Sequence, residues 1–93
     1  MKVNELKDRS SVDEITLKIT AKEEPRNVSG GSLRVCNLTG EDETGQVVVA
    51  LWNDDIDKVE VGNKIKITDG WSRMFNGIMQ VSCGRKGSLE VIE

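Results

Sequence analysis

Three rings are the residues of this chain best suited to chemistry with a flat ligand. Trp52, Trp71 and Phe75 are its only aromatic side chains, and all three fall within residues 47–75 of a 93-residue sequence that has no Tyr and no His. An aromatic face offers stacking, and Trp combines a large apolar body with one N–H donor. The missing histidine removes a histidine general base, a Ser-His-Asp triad and a His-liganded metal. Cys36 and Cys83 are too few and too far apart for a structural zinc site. A disulfide between them stays open, although reduced, buried thiols suit a cytoplasmic protein better. The composition therefore points away from an enzyme: no catalytic residue, metal or cofactor is expected.

The cations are unevenly spread. The formal net charge is −3, but residues 41–60 carry seven acids (Glu41, Asp42, Glu43, Asp54, Asp55, Asp57, Glu60) against Lys58. Residues 61–88 carry Lys64, Lys66, Arg73, Arg85 and Lys86 against Asp69, and residues 25–40 add Arg26 and Arg34. A polyanion responds to the local field rather than to the total, and the basic excess coincides with Trp71 and Phe75. The acidic runs are expected as solvated turns and helix caps forming a repulsive rim, with a hard-cation site as the alternative.

The elements that must position these residues follow from periodicity. Ile15, Leu17 and Ile19 alternate with Thr16, Lys18 and Thr20, the mark of a half-buried antiparallel strand that stops at Pro25. Residues 26–32 form a loop with a Gly pair. Residues 33–38 form a second strand of ambiguous facing, because Leu33 and Val35 oppose Cys36 and Leu38 in phase; a bulge would reconcile them. In the third strand Val47, Val49 and Leu51 face one way and Val48, Ala50 and Trp52 the other. Residues 53–59 suggest a capped helical turn with Ile56 and Val59 inward. Ile65 and Ile67 then alternate in a fourth strand whose register Asp69-Gly70 breaks, with Trp71 and Phe75 flanking a short loop. Asn76-Gly77 signals a tight turn, after which Met79, Val81 and Cys83 face inward in a fifth strand. Gly84–Gly87 reads as another turn and residues 89–92 as a short last strand or tail.

This order predicts an all-β fold, a five-stranded oligonucleotide/oligosaccharide-binding (OB) barrel with a short helical turn between strands 3 and 4. A generic sandwich fits the periodicity, but the helix position favours the barrel. Residues 1–11 are expected as an N-terminal lead-in and residues 12–93 as the single OB domain. No apolar run is long enough for a bilayer and the N-terminus lacks a secretory signal's apolar stretch, so the expected place is the cytoplasm, with no membrane partner.

Each ring admits two roles. Trp52 either stands outward by strand phase or covers the barrel rim. Trp71 and Phe75 either form a platform or plug one barrel end, and Phe75 is the ring expected inside if one is. Rings beside cations are what single-stranded nucleic acid needs, since each unpaired base offers a π face worth about 1–3 kcal/mol and cations displace condensed counterions. Three rings suit about three or four bases. Ser72, Asn76, Gln80 and Ser82 are candidate hydrogen-bonding groups, and Arg34 a candidate phosphate contact. An OB protein–protein module or an RNA binder would use the same surface.

Asp42-Glu43-Thr44-Gly45, the strand ending Leu51-Trp52, Val61-Gly62-Asn63-Lys64-Ile65-Lys66-Ile67, the segment Gly70-Trp71-Ser72-Arg73-Met74-Phe75-Asn76-Gly77 and Gly84-Arg85-Lys86-Gly87 resemble archaeal single-stranded-DNA-binding proteins, the replication protein A-like OB folds, over residues 12–88. The resemblance implies largely sequence-independent binding of single-stranded DNA in replication and repair, with Trp52, Trp71 and Phe75 stacking on bases. It implies backbone contacts from Arg26, Lys66, Arg73 and Arg85, and other replication protein A subunits or domains as partners. The chain departs from the pattern at Ser82, where some members carry an aromatic, and at Val48 and Ala50, where polar or basic residues are frequent.

Overall fold

In a computed structural model of the chain, the backbone is described for all 93 residues and the side-chain surroundings for all but residues 28, 29, 54, 84, 85 and 86. The strands are β1 (Ser10–Lys22), β2 (Arg26–Val28), β3 (Leu33–Asp42), β4 (Gly45–Trp52), β5 (Lys64–Phe75) and β6 (Ile78–Val91), with one α-helix, α1 (Asp54–Lys58), between β4 and β5. The sheet order is β1-β5-β6-β4-β3-β2, and a further β1–β3 pairing closes the five long strands into a barrel. β1 closes the ring by changing partner along its length. Residues from Ser10 to Lys18 pair with β5, while Lys18 to Lys22 pair with β3. The all-β OB barrel expected from the sequence is what forms.

The core is aliphatic. Ile15, Leu17, Ile19, Val49, Leu51, Ile65, Ile67 and Val81 are each exposed by 1% or less, and Met79, Cys83 and Leu89 pack against that cluster. Burying such a side chain stabilises by about 1.5–3 kcal/mol, so alternation with polar neighbours fixes which way each strand faces. Helix α1 buries Ile56, with Val59 beside it at the C-cap, as their spacing predicts. Its ends are satisfied differently from expectation. The Asn53 side chain makes no cap; its Oδ1 accepts the N–H of Arg34 at 3.0 Å. At the other end the Lys22 ammonium donates to the carbonyls of Ile56 and Val59, each at 2.8 Å.

Several expectations change. The β3–β4 register runs unbroken from Val35↔Trp52 to Asp42↔Gly45, so β3 has no bulge against β4. Cys36 and Leu38 face the core and Val35 faces out; the irregularities lie instead between Ile19 and Ala21 of β1 and between Thr68 and Gly70 of β5. The loop at 26–32 contains β2, and residues 78–91 are assigned to one strand, whose pairing with β5 jumps from Gly70↔Cys83 to Thr68↔Ser88 across the expected turn. Leu6 joins the core, ahead of β1. Among the described residues no helix is long and apolar enough to cross a membrane.

Candidate nucleic-acid interface

One residue decides which way β5 points its rings. Ile65 and Ile67 are inward; strict alternation would send Asp69, Trp71 and Arg73 inward as well. Asp69 instead adopts φ +54°, a left-handed conformation that Asp tolerates, and the phase inverts. Gly70 and Ser72 become buried while Trp71, Arg73 and Phe75 stand outward. Gly70 is required at the joint, because a Cβ there would lie 2.8 Å from both Ile67 Cγ2 and the Ser82 carbonyl oxygen. The register break expected at Asp69-Gly70 is present. The loop expected between Trp71 and Phe75 is not: both sit on β5 itself, since Phe75↔Ile78 is the closing pair of a two-residue hairpin. Its turn residues, Asn76 at φ +51° and Gly77 at φ +79°, have the two positive φ angles of a type I′ turn.

All three rings are exposed, Trp52 by 43%, Trp71 by 45% and Phe75 by 55%. None plugs the barrel, and Phe75, the ring named for the interior should one lie there, is the most open of the three. Strand pairing arranges them on one outer face. Trp71 lies opposite Ser82, Ser82 opposite Ala50, and Ala50 opposite Asn37. The next row runs Arg73, Gln80, Val48, Thr39, and Trp52 pairs with Val35, itself opposite Arg26. A groove crosses this face, with Trp52, Phe75, Arg26, Arg73 and Gln80 in its walls and Val35 and Val48 among its apolar lining. Trp71 is outside the lining, two residues along β5 from Arg73, a step of about 7 Å. The Arg73 guanidinium carbon sits 5.3 Å from the Phe75 ring centroid, within cation–π range.

The remaining sequence candidates separate. Lys66 lies away from the groove with its ammonium 3.4 Å from Glu14. The Arg85 side chain lies outside the described residues. Arg34 is not a free phosphate contact: its Nη2 donates to Asp57 at 3.0 Å and to the Asn53 carbonyl at 3.2 Å. Ser72, expected to offer a ligand hydrogen bond, is fully buried and donates to the carbonyls of Lys7 at 2.7 Å and Ser10 at 3.2 Å. Asn76 and Gln80 do line the groove, together with Asn37, Thr39 and Glu23. Ile78, absent from the sequence candidates, is 55% exposed and in the lining. Its signal was present, since a two-residue turn places the flanking Phe75 and Ile78 side by side on one face.

Among the described residues the acidic side chains stay off this groove apart from Glu23. Burial alone would raise the Asp42 carboxyl. The Thr44 hydroxyl at 2.6 Å and the N–H groups of Val3 at 2.8 Å and Thr44 at 2.7 Å hold it below the usual range instead. Asp42 thus organises the β3–β4 turn, and Glu43 pairs with Lys2. Among the described residues no group of three or more Cys, Asp or Glu side chains is placed to hold a metal ion. The cysteines are free thiols. Burial raises both, Cys83 to about 11 with Asp55 adding to it.

A family model described as single-stranded DNA binding protein Ssb-like, OB fold, matches residues 7–91. The single-stranded DNA binding protein Ssb of Saccharolobus solfataricus is 28% identical over 90 residues, covering 95% of this chain; the chain spans 61% of that relative's length. The replication factor A related protein of Methanobacterium thermoautotrophicum superposes with a TM-score of 0.81 at 21% identity, covering all of this chain and 90% of the other. The second OB-fold domain of replication protein A from Methanococcus maripaludis gives 0.74 at 21%, covering all of this chain and 94% of the other. At those identities the two structures speak for the fold alone.

Proposed function

The chain belongs to the Ssb-like OB-fold family of single-stranded DNA binding proteins, a family of nucleic-acid binders rather than enzymes, and we propose that its groove face binds single-stranded DNA with little sequence preference. The observation that carries this reading is the inverted phase of β5, which holds Trp71, Arg73 and Phe75 outward on the face that also bears Trp52 and Arg26. A folding argument alone gives no reason to expose three rings out of three. Stacking on the rings supplies base contacts that every base can satisfy, and Arg26 and Arg73 neutralise phosphates. Val35, Val48 and Ile78 add apolar contact, while Asn37, Thr39 and Gln80 offer hydrogen bonds. Such a module would hold exposed strands during replication or repair. Lys66, committed to Glu14, is left out of the proposed site.

Titration with oligo-dT at low salt, followed by Trp emission, tests this directly. Quenching that weakens as salt rises is expected. Unchanged emission at micromolar protein with excess oligonucleotide would overturn the proposal, and competition between DNA and RNA oligonucleotides separates the two nucleic acids.

A further inference from the structure

The outer end of β5 extends past the strands that flank it. Pairing with β1 ends at Ser10↔Ser72, whereas β5 continues to Phe75. Across the hairpin, the β4–β6 pairing begins only at Val48↔Gln80, beyond Ile78 and Met79. The tip that carries Phe75 therefore leaves the barrel as a two-stranded arm, a structure marginal on its own in water. On its β1 side one contact replaces the missing ladder: the Met74 N–H donates to Asp8 Oδ1 at 2.7 Å. One step back, the buried Ser72 hydroxyl donates to the carbonyls of Lys7 and Ser10. These contacts come from residues 7–10, the segment that leads into β1 and ends on its first residue, which turns at Arg9 with φ +55°. A non-glycine residue there is uncommon, and such strain persists where the surroundings impose it.

We infer that Asp8 is a positioning residue: its carboxylate stands in for a β1 carbonyl, extends the β5 ladder by one rung and holds the Arg73–Phe75 arm in its binding arrangement, with Ser72 anchoring the same segment from inside the barrel. The part played in binding rests on the single-stranded-DNA reading above; the latch itself does not. Electrostatics alone would give the opposite sign, because removing a carboxylate next to a polyanion site strengthens attraction.

The test compares the whole chain with Asp8→Ala and Asp8→Asn by amide hydrogen exchange and oligo-dT titration at one fixed low salt concentration. In Asp8→Ala the Met74 amide is expected to exchange at least about tenfold faster, the size of a lost charge-assisted hydrogen bond, while Ile67 and Val49 keep their protection. Oligo-dT affinity falls about three- to tenfold as part of that loss reaches the site. Asp8→Asn, which keeps an acceptor oxygen and drops the charge, recovers part of the Met74 protection and binds more tightly than Asp8→Ala. Unchanged Met74 exchange in Asp8→Ala overturns the latch, as does a loss of protection spread equally over Ile67 and Val49. Tighter binding by Asp8→Ala overturns its role in the site. If the parent chain itself does not bind oligo-dT, the single-stranded-DNA reading fails, and the exchange measurement still decides the latch.

Discussion

The two halves of β5 use one strand for two purposes. From Lys64 to Thr68 the strand follows the barrel, with Ile65 and Ile67 fully buried and Lys66 turned out to Glu14. From Gly70 to Phe75 the large side chains are all outside, and the inward positions hold only a glycine and a serine. One left-handed residue, Asp69, separates the halves. Outward rings need not be added to a barrel as a loop; inverting the phase of a strand converts its core-filling pattern into a solvent-facing one. The cost is visible inside, where Ser72 occupies a position that an aliphatic residue fills elsewhere and is satisfied only by the carbonyls of Lys7 and Ser10.

Substitutions in the two halves should therefore separate stability from binding. The largest effect belongs to the inner half. Ile67→Ala is expected to lose about 2–5 kcal/mol of stability, seen as a lower urea midpoint, while the folded fraction keeps its oligonucleotide affinity. Gly70→Ala, at the joint, disturbs both. Its methyl group meets a backbone oxygen that cannot rotate away, so stability falls by about 1–3 kcal/mol and the emission spectrum of the neighbouring Trp71 shifts. In the outer half, Trp71→Ala and Phe75→Ala should each lose about 1–3 kcal/mol of binding, with urea midpoints close to the parent's. A large loss of stability from either would show that the ring belongs to the packing after all. The charges divide the same way. Arg73→Ala should reduce the slope of log affinity against log salt by about 0.7, and Lys66→Ala should leave that slope unchanged.

Much of this was legible because burial imposes a phase. The facing of β1, β4 and the inner half of β5 follows from alternating aliphatic residues, and the hairpin turn follows from Asn76-Gly77. The second strand misled for a physical reason: Val35 is apolar but lies in the groove, so an outward-facing apolar residue mimics a core residue and suggests a bulge that β3 lacks. Ser72 misled in the opposite sense, as a polar residue in the interior whose partners are 62 and 65 positions away in sequence. Spacing cannot reveal such partners. The separate fates of Lys66 and Arg73 also depend on neighbours brought by folding, Glu14 across β1 in one case and the Phe75 ring in the other.

The smallest predicted effect lies at the joint itself. Cys83 is the β6 partner of Gly70, and burial, reinforced by Asp55, pushes its thiol up to about 11 from a reference of 9.0. Between those values the folded chain keeps a proton that the unfolded chain has released. Linkage then makes the unfolding free energy fall as pH rises through that interval, with the contribution fully present below about 9 and gone above about 11. Cys36, also raised by burial, has the same sign. So does Lys2, whose ammonium is held protonated by its hydrogen bond to Glu43. The parent chain should therefore lose thermal stability on going from pH 8 to 11, and Cys83→Ala should show a shallower decline, with Cys36 contributing in the same interval and Lys2 only above about 10.5. Because Cys83 is only half-buried, water screens part of its share and the change in slope should be modest. Its location makes it diagnostic: a thiolate forming at Cys83 loosens the strand pair where the two halves of β5 meet. Trp71 emission should therefore respond as pH passes through about 11 in the parent and not in Cys83→Ala. If both proteins titrate alike, the joint is not coupled to the platform and the phase inversion is held by Asp69 and Gly70 alone.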